Sequence, residues 1–341
     1  MKRVLALLLL AVIIALTASG CAQVANSECI SIVCTLFPQY DWIRSIVGDS
    51  DRISVTLLIQ NGTDPHSYQP TAADVLTISN CDMIVYVDGD SDLWVKEALE
   101  RSKNTDTVKV GLSKIEGMTL HPISSHSHTH GEDGDHSDHS DHSDHNDHDE
   151  HSAHGHGVFD EHLWLSLRNA QTAVSHLTDA ICALDRDGEA VYRANAEKYL
   201  EGLAALDAEY RAAVDSAAEE DRFLLFADRF PFVYLLSDYG VEYSAAFEGC
   251  TTDVDAGFDT VLGLIKEAEE HAVHYIAVTE TSDMALASTV ASSASEKEIE
   301  ILVMNSLQSV TRAQIASGLS YLSVMEENLV ALRTALGVSG E

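Results

Sequence analysis

The sequence is poor in positive charge. Its 341 residues include 20 Lys and Arg against 55 Asp and Glu, which gives a formal net charge of −35 at pH 7. A chain of this sign repels nucleic acid and anionic lipid, and it raises the local concentration of cations. We therefore exclude nucleic acid as a partner and expect cationic ligands.

Several common signatures are also missing. None of the six cysteines forms a CxxC pair, so a cysteine zinc cluster is not indicated. The sequence has no GxSxG nucleophile elbow, P-loop or GxGxxG phosphate loop. The longest apolar run near the start, Val4 to Leu16, is shorter than the roughly 20 residues that a membrane span needs. These absences favour a binding protein without a permanent transmembrane helix.

The N-terminal residues predict export from the cytoplasm. A basic start, a short apolar middle and the small residues Ala18 to Gly20 are typical of a secretory signal peptide, which we place at residues 1–20. The end of this segment, with Cys21, resembles the bacterial lipobox, in which the cysteine is acylated. We expect residues 21–28 to form a lipid-anchored tether on the extracytoplasmic face of the bacterial cell membrane. Outside the cytoplasm the other five cysteines could form a disulfide, whose pairing the sequence leaves open.

A histidine-rich stretch indicates metal binding. Residues 126–156 contain eleven histidines among nine acidic residues, six of them at every third position from His136 to His151. Imidazole and carboxylate groups suit zinc, nickel and copper, so we predict an auxiliary low-affinity metal loop within a disordered acidic segment, residues 121–158. The alternative is a solvated linker without a metal role. The histidines are His126, His128, His130, His136, His139, His142, His145, His148, His151, His154 and His156.

Short β-rich segments alternate with longer helical patterns in two blocks of the chain. This alternation predicts an α/β fold with two lobes, each containing a mostly parallel sheet flanked by helices. The predicted strands are Cys29 to Leu36, Ile53 to Leu58, Met83 to Val87, Phe223 to Phe226, Tyr275 to Val278 and Ile299 to Met304. The predicted helices are Tyr40 to Val47, Ala72 to Ile78, Leu163 to Ala183, Glu189 to Ala218, Asp255 to His271 and Arg312 to Leu336.

The same pattern predicts the domain limits. We expect an N-terminal lobe at residues 29–162, which includes the histidine-rich loop, and a C-terminal lobe at residues 191–341. A long rigid helix at residues 163–190 would join them. Ligands of open parallel sheets bind at the carboxyl ends of the strands, so the cleft between the lobes is the expected site.

Two histidines stand in contexts that favour metal ligation. In Asp64-Pro65-His66, the proline stiffens the backbone and can present the imidazole at a fixed angle. His162 precedes a predicted helix, where Asp160 can cap N–H groups or orient the imidazole. A lone histidine is more often a structural or surface residue, but these paired contexts favour ligation by both His66 and His162.

The mature chain, from about Ile30 to Leu336, resembles the solute-binding proteins of bacterial ABC importers that capture zinc or manganese. Three stretches carry the resemblance: Leu36 to Trp42, the DPHxYxP stretch with the residues before it (Asn61 to Pro70), and the DxHxW stretch (Asp160 to Trp164). The acidic histidine-rich loop before the last of these is similar to the loop of the zinc-specific branch.

The resemblance implies a function. It describes a lipid-anchored monomer, tied to the membrane at Cys21, that captures Zn²⁺ between its lobes and delivers it to the permease and ATPase of an ABC importer. It implies no enzymatic activity. The alternatives are a manganese or other transition-metal importer subunit and a surface metal buffer or adhesin without a transport role. A zinc hydrolase would need an open coordination position and a general base.

The resemblance also implies further ligands from the second lobe. In the family a third ligand comes from a stretch of the form H-x-x-F-x-Y, and a carboxylate comes from a later strand. We place Ala227 at the third position here, and Asn305 where aspartate is frequent. Asp228 or Glu280 is then expected to supply oxygen to zinc. Asp228 could instead cap a helix or pair with Arg229, and Glu280 could instead orient a histidine or bind Arg229.

Overall fold

The computed structural model describes residues 29–102, 104–123, 159–248, 256–294 and 298–338. The predicted signal peptide, the tether with Cys21 and the histidines from His126 to His156 lie outside the described residues. Within the described ranges, no helix has the length and apolar character needed to cross a membrane.

The first lobe is built on a parallel sheet of four strands. The strand order is β2-β1-β3-β4, and every neighbouring pair runs parallel. The strands are β1 (Ile30–Cys34), β2 (Ile53–Leu57), β3 (Met83–Tyr86) and β4 (Val108–Gly111). The helices of this lobe are α1 (Phe37–Val47), α2 (Ala72–Ser79) and α3 (Leu93–Arg101).

The second lobe repeats this architecture. Its four parallel strands have the order β6-β5-β7-β8. The strands are β5 (Phe223–Phe230), β6 (Glu242–Glu248), β7 (Tyr275–Thr279) and β8 (Glu300–Met304). The helices that follow the link between the lobes are α6 (Val233–Tyr239), α7 (Phe258–Glu270), α8 (Ala285–Ser293), α9 (Arg312–Ala316) and α10 (Tyr321–Ala335). The predicted α/β class with two parallel sheets is confirmed.

Two consecutive helices, α4 (Leu167–Leu184) and α5 (Glu189–Ser216), connect the lobes. The segment predicted as the linking helix contains a 3-10 turn, Leu163–Leu165, followed by α4. The longer helix is α5, with 28 residues. It contacts both lobes, because Asn195 donates to the Ile46 carbonyl at 3.0 Å and the Tyr210 hydroxyl donates to the Met325 carbonyl at 2.6 Å. A long helix therefore joins the lobes, as expected, but it starts at Glu189 rather than at residue 163.

The second difference from the predicted elements is at the C-terminal end. The continuous helix predicted for Arg312 to Leu336 is divided into α9 and α10. Gly318 adopts a φ of +94°, which few side chains tolerate and which ends α9. Ser320 then starts a new helix, since its hydroxyl accepts the backbone N–H of Ser323.

Both lobes share one apolar core. Its largest side chains come from the first lobe, the link and the second lobe, and each is at most 2% exposed. Trp42 of α1 meets Tyr321 of α10 edge-on, with ring centroids 5.3 Å apart. The Tyr321 hydroxyl then donates to the Trp164 carbonyl at 2.7 Å. Burial of these rings fixes one lobe against the other.

A buried carboxyl lies just past the carboxyl end of β3. Asp92 is 3% exposed and accepts the backbone N–H groups of Val87 and Asp88. Burial raises the pKa of Asp92 to about 7, against the lowering effect of the Val87 N–H and with a further raising effect from the negative charge of Glu161. The folded protein therefore holds a proton that the unfolded chain releases near pH 4.

The stability of the protein should respond to this group. A carboxyl whose pKa is raised in the folded state loses stabilisation as pH rises from about 4 to 7. We expect Asp92→Asn to raise the free energy of unfolding at pH 8 by up to about 4 kcal/mol, with the gain shrinking toward pH 4. Urea unfolding at pH 8 and at pH 4 measures the free energy of unfolding of the variant and of the parent. Asp90→Asn, an exposed acid two residues away, is the control, and an equal effect of both variants would contradict the assignment.

Candidate metal centre

His66 lies in a short 3-10 turn, Pro65–Ser67, in the loop that follows β2. Asp64 caps this turn, because its Oδ1 accepts the backbone N–H of His66 at 2.9 Å. Pro65 supplies a fixed φ at the first position of the turn, where no N–H is needed. The turn therefore fixes the backbone of His66, and ligation by its imidazole stays a prediction.

His162 is buried, with 1% of its surface exposed. Oδ1 of Asp160 accepts both its backbone N–H at 2.9 Å and its ring Nδ1–H at 2.8 Å. Burial raises the pKa of Asp160, but the charge and hydrogen bonds of His162 outweigh burial and hold this pKa below its ordinary value. When His162 is neutral, an ionised Asp160 keeps its remaining proton on Nδ1, so Nε2 carries the lone pair that a metal ion needs.

The two imidazoles face each other through their Nε2 atoms. The distance between these nitrogens is 3.3 Å, although the residues are 96 positions apart in the chain. Two histidine nitrogens bound to one tetrahedral zinc ion at about 2.0–2.1 Å are separated by roughly 3.3–3.4 Å. The pair that the sequence predicted is therefore brought together at a spacing that suits one shared ion.

Contacts from the second lobe hold Asp160 in place. The Tyr234 hydroxyl, on α6, donates to the Asp160 carbonyl at 2.6 Å and accepts the backbone N–H of His121 at 3.1 Å. The Asp160 N–H in turn donates to the His121 carbonyl at 2.8 Å. Pro122 and Phe159 form an antiparallel bridge beside these bonds. The two ends of the histidine-rich segment thus meet next to the carboxylate that orients His162.

Glu161 anchors the same segment to the first lobe. Its carboxylate accepts the backbone N–H of Ser91 at 3.0 Å and also the Ser91 hydroxyl. Gly89 makes room for this carboxylate, because a Cβ there would lie 2.5 Å from it. His162 is therefore flanked by two carboxylates with different partners.

The two predicted carboxylate ligands are held within the second lobe. Asp228 accepts the N–H and hydroxyl of Thr279 at 2.9 and 2.6 Å, and the backbone N–H of Arg229 at 2.8 Å. Glu280 accepts the N–H and hydroxyl of Ser306, both at 2.8 Å. Within the described residues, no group of three or more His, Cys, Asp or Glu side chains is arranged to hold a metal ion. Ligation by Asp228 and Glu280 stays a prediction.

The structure changes the expected role of Ala227. Ala227 is 2% exposed and packs with Leu264 and Ala268 of α7, so a longer side chain there would meet that helix. Counted back from Phe232 and Tyr234, the H-x-x-F-x-Y pattern begins at Arg229. Sequence reasoning missed this residue because it matched the aromatic positions of the pattern to Phe230 and Phe232 instead of Phe232 and Tyr234.

Arg229 contacts the loop that carries His66. Its Nη1 lies 2.6 Å from Oδ2 of Asp64, and its Nη2 donates to the Thr281 hydroxyl at 3.4 Å. The register between β5 and β6 shifts between Phe226 and Arg229. Asn305, where an aspartate was considered, accepts the Leu307 N–H with its own side chain at 2.9 Å. The second lobe thus contributes a cation to the neighbourhood of the site.

Two parallel α/β lobes joined by a long helix, with two imidazoles whose Nε2 atoms lie 3.3 Å apart, define the class of two-lobed binding proteins. A family model described as the periplasmic component A of the zinc-uptake complex, ZnuA, matches residues 32–335. The chain belongs to this family.

Two curated relatives support the assignment. The zinc-binding lipoprotein AdcA of Streptococcus pneumoniae serotype 4 is 32% identical over 338 residues, which cover 98% of this chain and 61% of the relative. The high-affinity zinc uptake system protein ZnuA of Bacillus subtilis is 30% identical over 312 residues, which cover 92% of this chain and 89% of the relative. The chain thus spans about three fifths of the length of the pneumococcal relative.

Solved structures agree on the fold. The Zn(II)-bound ZnuA-like domain of Streptococcus pneumoniae AdcA superposes with a TM-score of 0.68 at 27% identity, covering 90% of this chain and 98% of that domain. The metal-dependent lipoprotein YcdH of Bacillus subtilis gives a TM-score of 0.70 at 27% identity, covering 91% of this chain and all of that one.

The hydrogen bond from His162 to Asp160 should control metal affinity. In Asp160→Asn an amide replaces the carboxylate, so the preference for a proton on Nδ1 weakens. We expect zinc affinity to fall about 10- to 100-fold, as for other residues that orient a ligand histidine. Competition against a chromophoric chelator measures this. Glu161→Gln removes a neighbouring charge without a bond to His162, and an equal loss in both variants would show that charge alone matters.

Proposed function

We propose that this protein captures Zn²⁺ between its lobes and delivers it to the permease and ATPase of an ABC importer. The observation that carries the proposal is the pair of Nε2 atoms 3.3 Å apart, one of them oriented by Asp160. The relatives support it, because their names describe zinc binding and zinc uptake, and a neighbouring structure is described as Zn(II)-bound.

The coordination shell in this proposal starts from His66 and His162. Zinc accepts a tetrahedral set of imidazole, carboxylate and water ligands. Asp228 or Glu280 would join the set by exchanging its hydroxyl and amide partners, Thr279 or Ser306, for the ion. Water would complete the shell where a carboxylate stays with its present partners.

The chemistry is ligand exchange rather than catalysis. Neutral imidazoles displace water from the ion on capture, and the reverse exchange releases it to the permease. The family is one of solute-binding proteins, and we propose no enzymatic activity for this chain. Acylation of Cys21 would keep a monomer at the extracytoplasmic face of the membrane, close to the permease.

The histidine-rich segment would collect zinc near the cleft. Its two ends meet at the bridge between Pro122 and Phe159, directly before Asp160. Its eleven histidines and nine acids would raise the local concentration of the ion. The tight site does not depend on them in this proposal, because the hydrogen bonds that position His66 and His162 involve no residue between 124 and 156.

The first test is zinc titration of the mature chain lacking residues 124–156. We expect one tight zinc site that discriminates against manganese, with fewer ions bound than in the full mature chain. His66→Ala and His162→Ala should each weaken this site at least 100-fold, because each removes a ligand. Competitive calorimetry measures both effects. His176→Ala is the control, since His176 is exposed on α4.

Two results would contradict the proposal. Loss of the tight site on deletion would make the histidine-rich segment itself the binder and favour a surface metal buffer. Retention of tight binding in both alanine variants would place the site elsewhere in the chain.

Zinc loading should depend on pH. Protons compete with the ion for imidazole nitrogen, so zinc affinity should fall as the pH is lowered. With two imidazoles, the affinity should change about 100-fold for each pH unit at the acid end. Chelator competition between pH 5 and 8 measures the slope. A slope close to zero would exclude histidine ligands.

A further inference from the structure

An ion pair crosses from the second lobe to the loop that carries His66. Nη1 of Arg229 lies 2.6 Å from Oδ2 of Asp64, with 28% and 22% of the two side chains exposed. The residues are 165 positions apart in the chain. The other oxygen of Asp64, Oδ1, accepts the backbone N–H of His66. One carboxylate therefore contacts both the arginine and the backbone of a proposed zinc ligand.

The carboxylates near this pair have other partners. Asp228 is held by Thr279, and Glu280 is held by Ser306. The side chains around the small cavity at Arg229 are otherwise neutral apart from Asp64: Thr279, Thr281, Ser306, Gln308 and Ser309. Arg229 and Asp64 are therefore the charged side chains that line this cavity directly, and the carboxylates of Asp228 and Glu280 lie behind the hydroxyl groups of Thr279 and Ser306.

We propose that Arg229 limits the zinc affinity of the site by neutralising Asp64. This inference rests on the proposed function. A dication is attracted by a nearby carboxylate and repelled by a nearby guanidinium, and both interactions are strong where solvent is partly excluded. The guanidinium keeps its charge at every physiological pH. Arg229 thus fixes the electrostatic contribution of Asp64 close to zero and keeps the bound ion exchangeable.

A purely structural role predicts the opposite sign. If Arg229 served only to hold Asp64, and through it the His66 turn, its removal would loosen the ligand and weaken zinc binding. If Arg229 limits affinity, its removal leaves Asp64 as an uncompensated negative charge and strengthens zinc binding. The direction of the change separates the two roles.

The experiment uses the mature chain lacking residues 124–156. Arg229→Gln and Arg229→Met remove the charge, Arg229→Lys keeps it, and Asp64→Asn removes the partner. We expect both neutral variants to bind zinc at least tenfold tighter and to release it more slowly, and the lysine variant to resemble the parent. Asp64→Asn should bind at least tenfold more weakly, because the arginine charge is then uncompensated. In the double variant Arg229→Gln/Asp64→Asn, the gain in zinc affinity should disappear.

Chelator competition gives the affinities, and stopped-flow transfer to excess chelator gives the release rates. If both neutral variants bind zinc as tightly as the parent or more weakly, the inference is overturned. It is also overturned if the double variant keeps the full gain in zinc affinity. Absence of zinc binding in the parent chain overturns the proposed function and this inference together. A parent chain that binds zinc through His66 while the neutral variants show no gain overturns the inference alone.

Discussion

The proposed binding site depends on the fixed position of Asp160. Its N–H and carbonyl are held by His121 and Tyr234, and its carboxylate holds both the backbone and the ring of His162. These bonds join the base of the histidine-rich segment, the second lobe and a proposed zinc ligand at one residue. A carboxylate with so many partners cannot reorient without breaking them, so the tautomer and direction of His162 are set before an ion arrives.

The shared core keeps this site in register with the second lobe. Trp42, Trp164 and Tyr321 belong to three different parts of the chain and are buried together. Trp164, two residues after His162, also donates its ring N–H to the Ser306 carbonyl at 3.0 Å. Interiors packed in this way deform little. The segments that carry the proposed ligands therefore lie on a tightly packed frame.

The strong negative charge of the chain does not translate into free carboxylates at the site. Asp64, Asp160, Asp228 and Glu280, the carboxylates named for the proposed site, each have a defined partner. Overall charge attracts cations over long distances. Selection of a metal ion at the proposed site depends on which hydrogen-bond partner a carboxylate gives up. The strength of that hydrogen bond is a local property that composition does not determine.

The sequence by itself determined the α/β class, the two lobes, most strands and the two histidine motifs, because these depend on local periodicity and on short-range stiffening by residues such as Pro65. It did not predict β4 or β6, which are edge strands with partly polar sequences, and it joined α9 to α10. Only the tertiary structure decided that Arg229 pairs with Asp64. That contact spans 165 positions and follows a register shift in β5, and no local pattern encodes either feature.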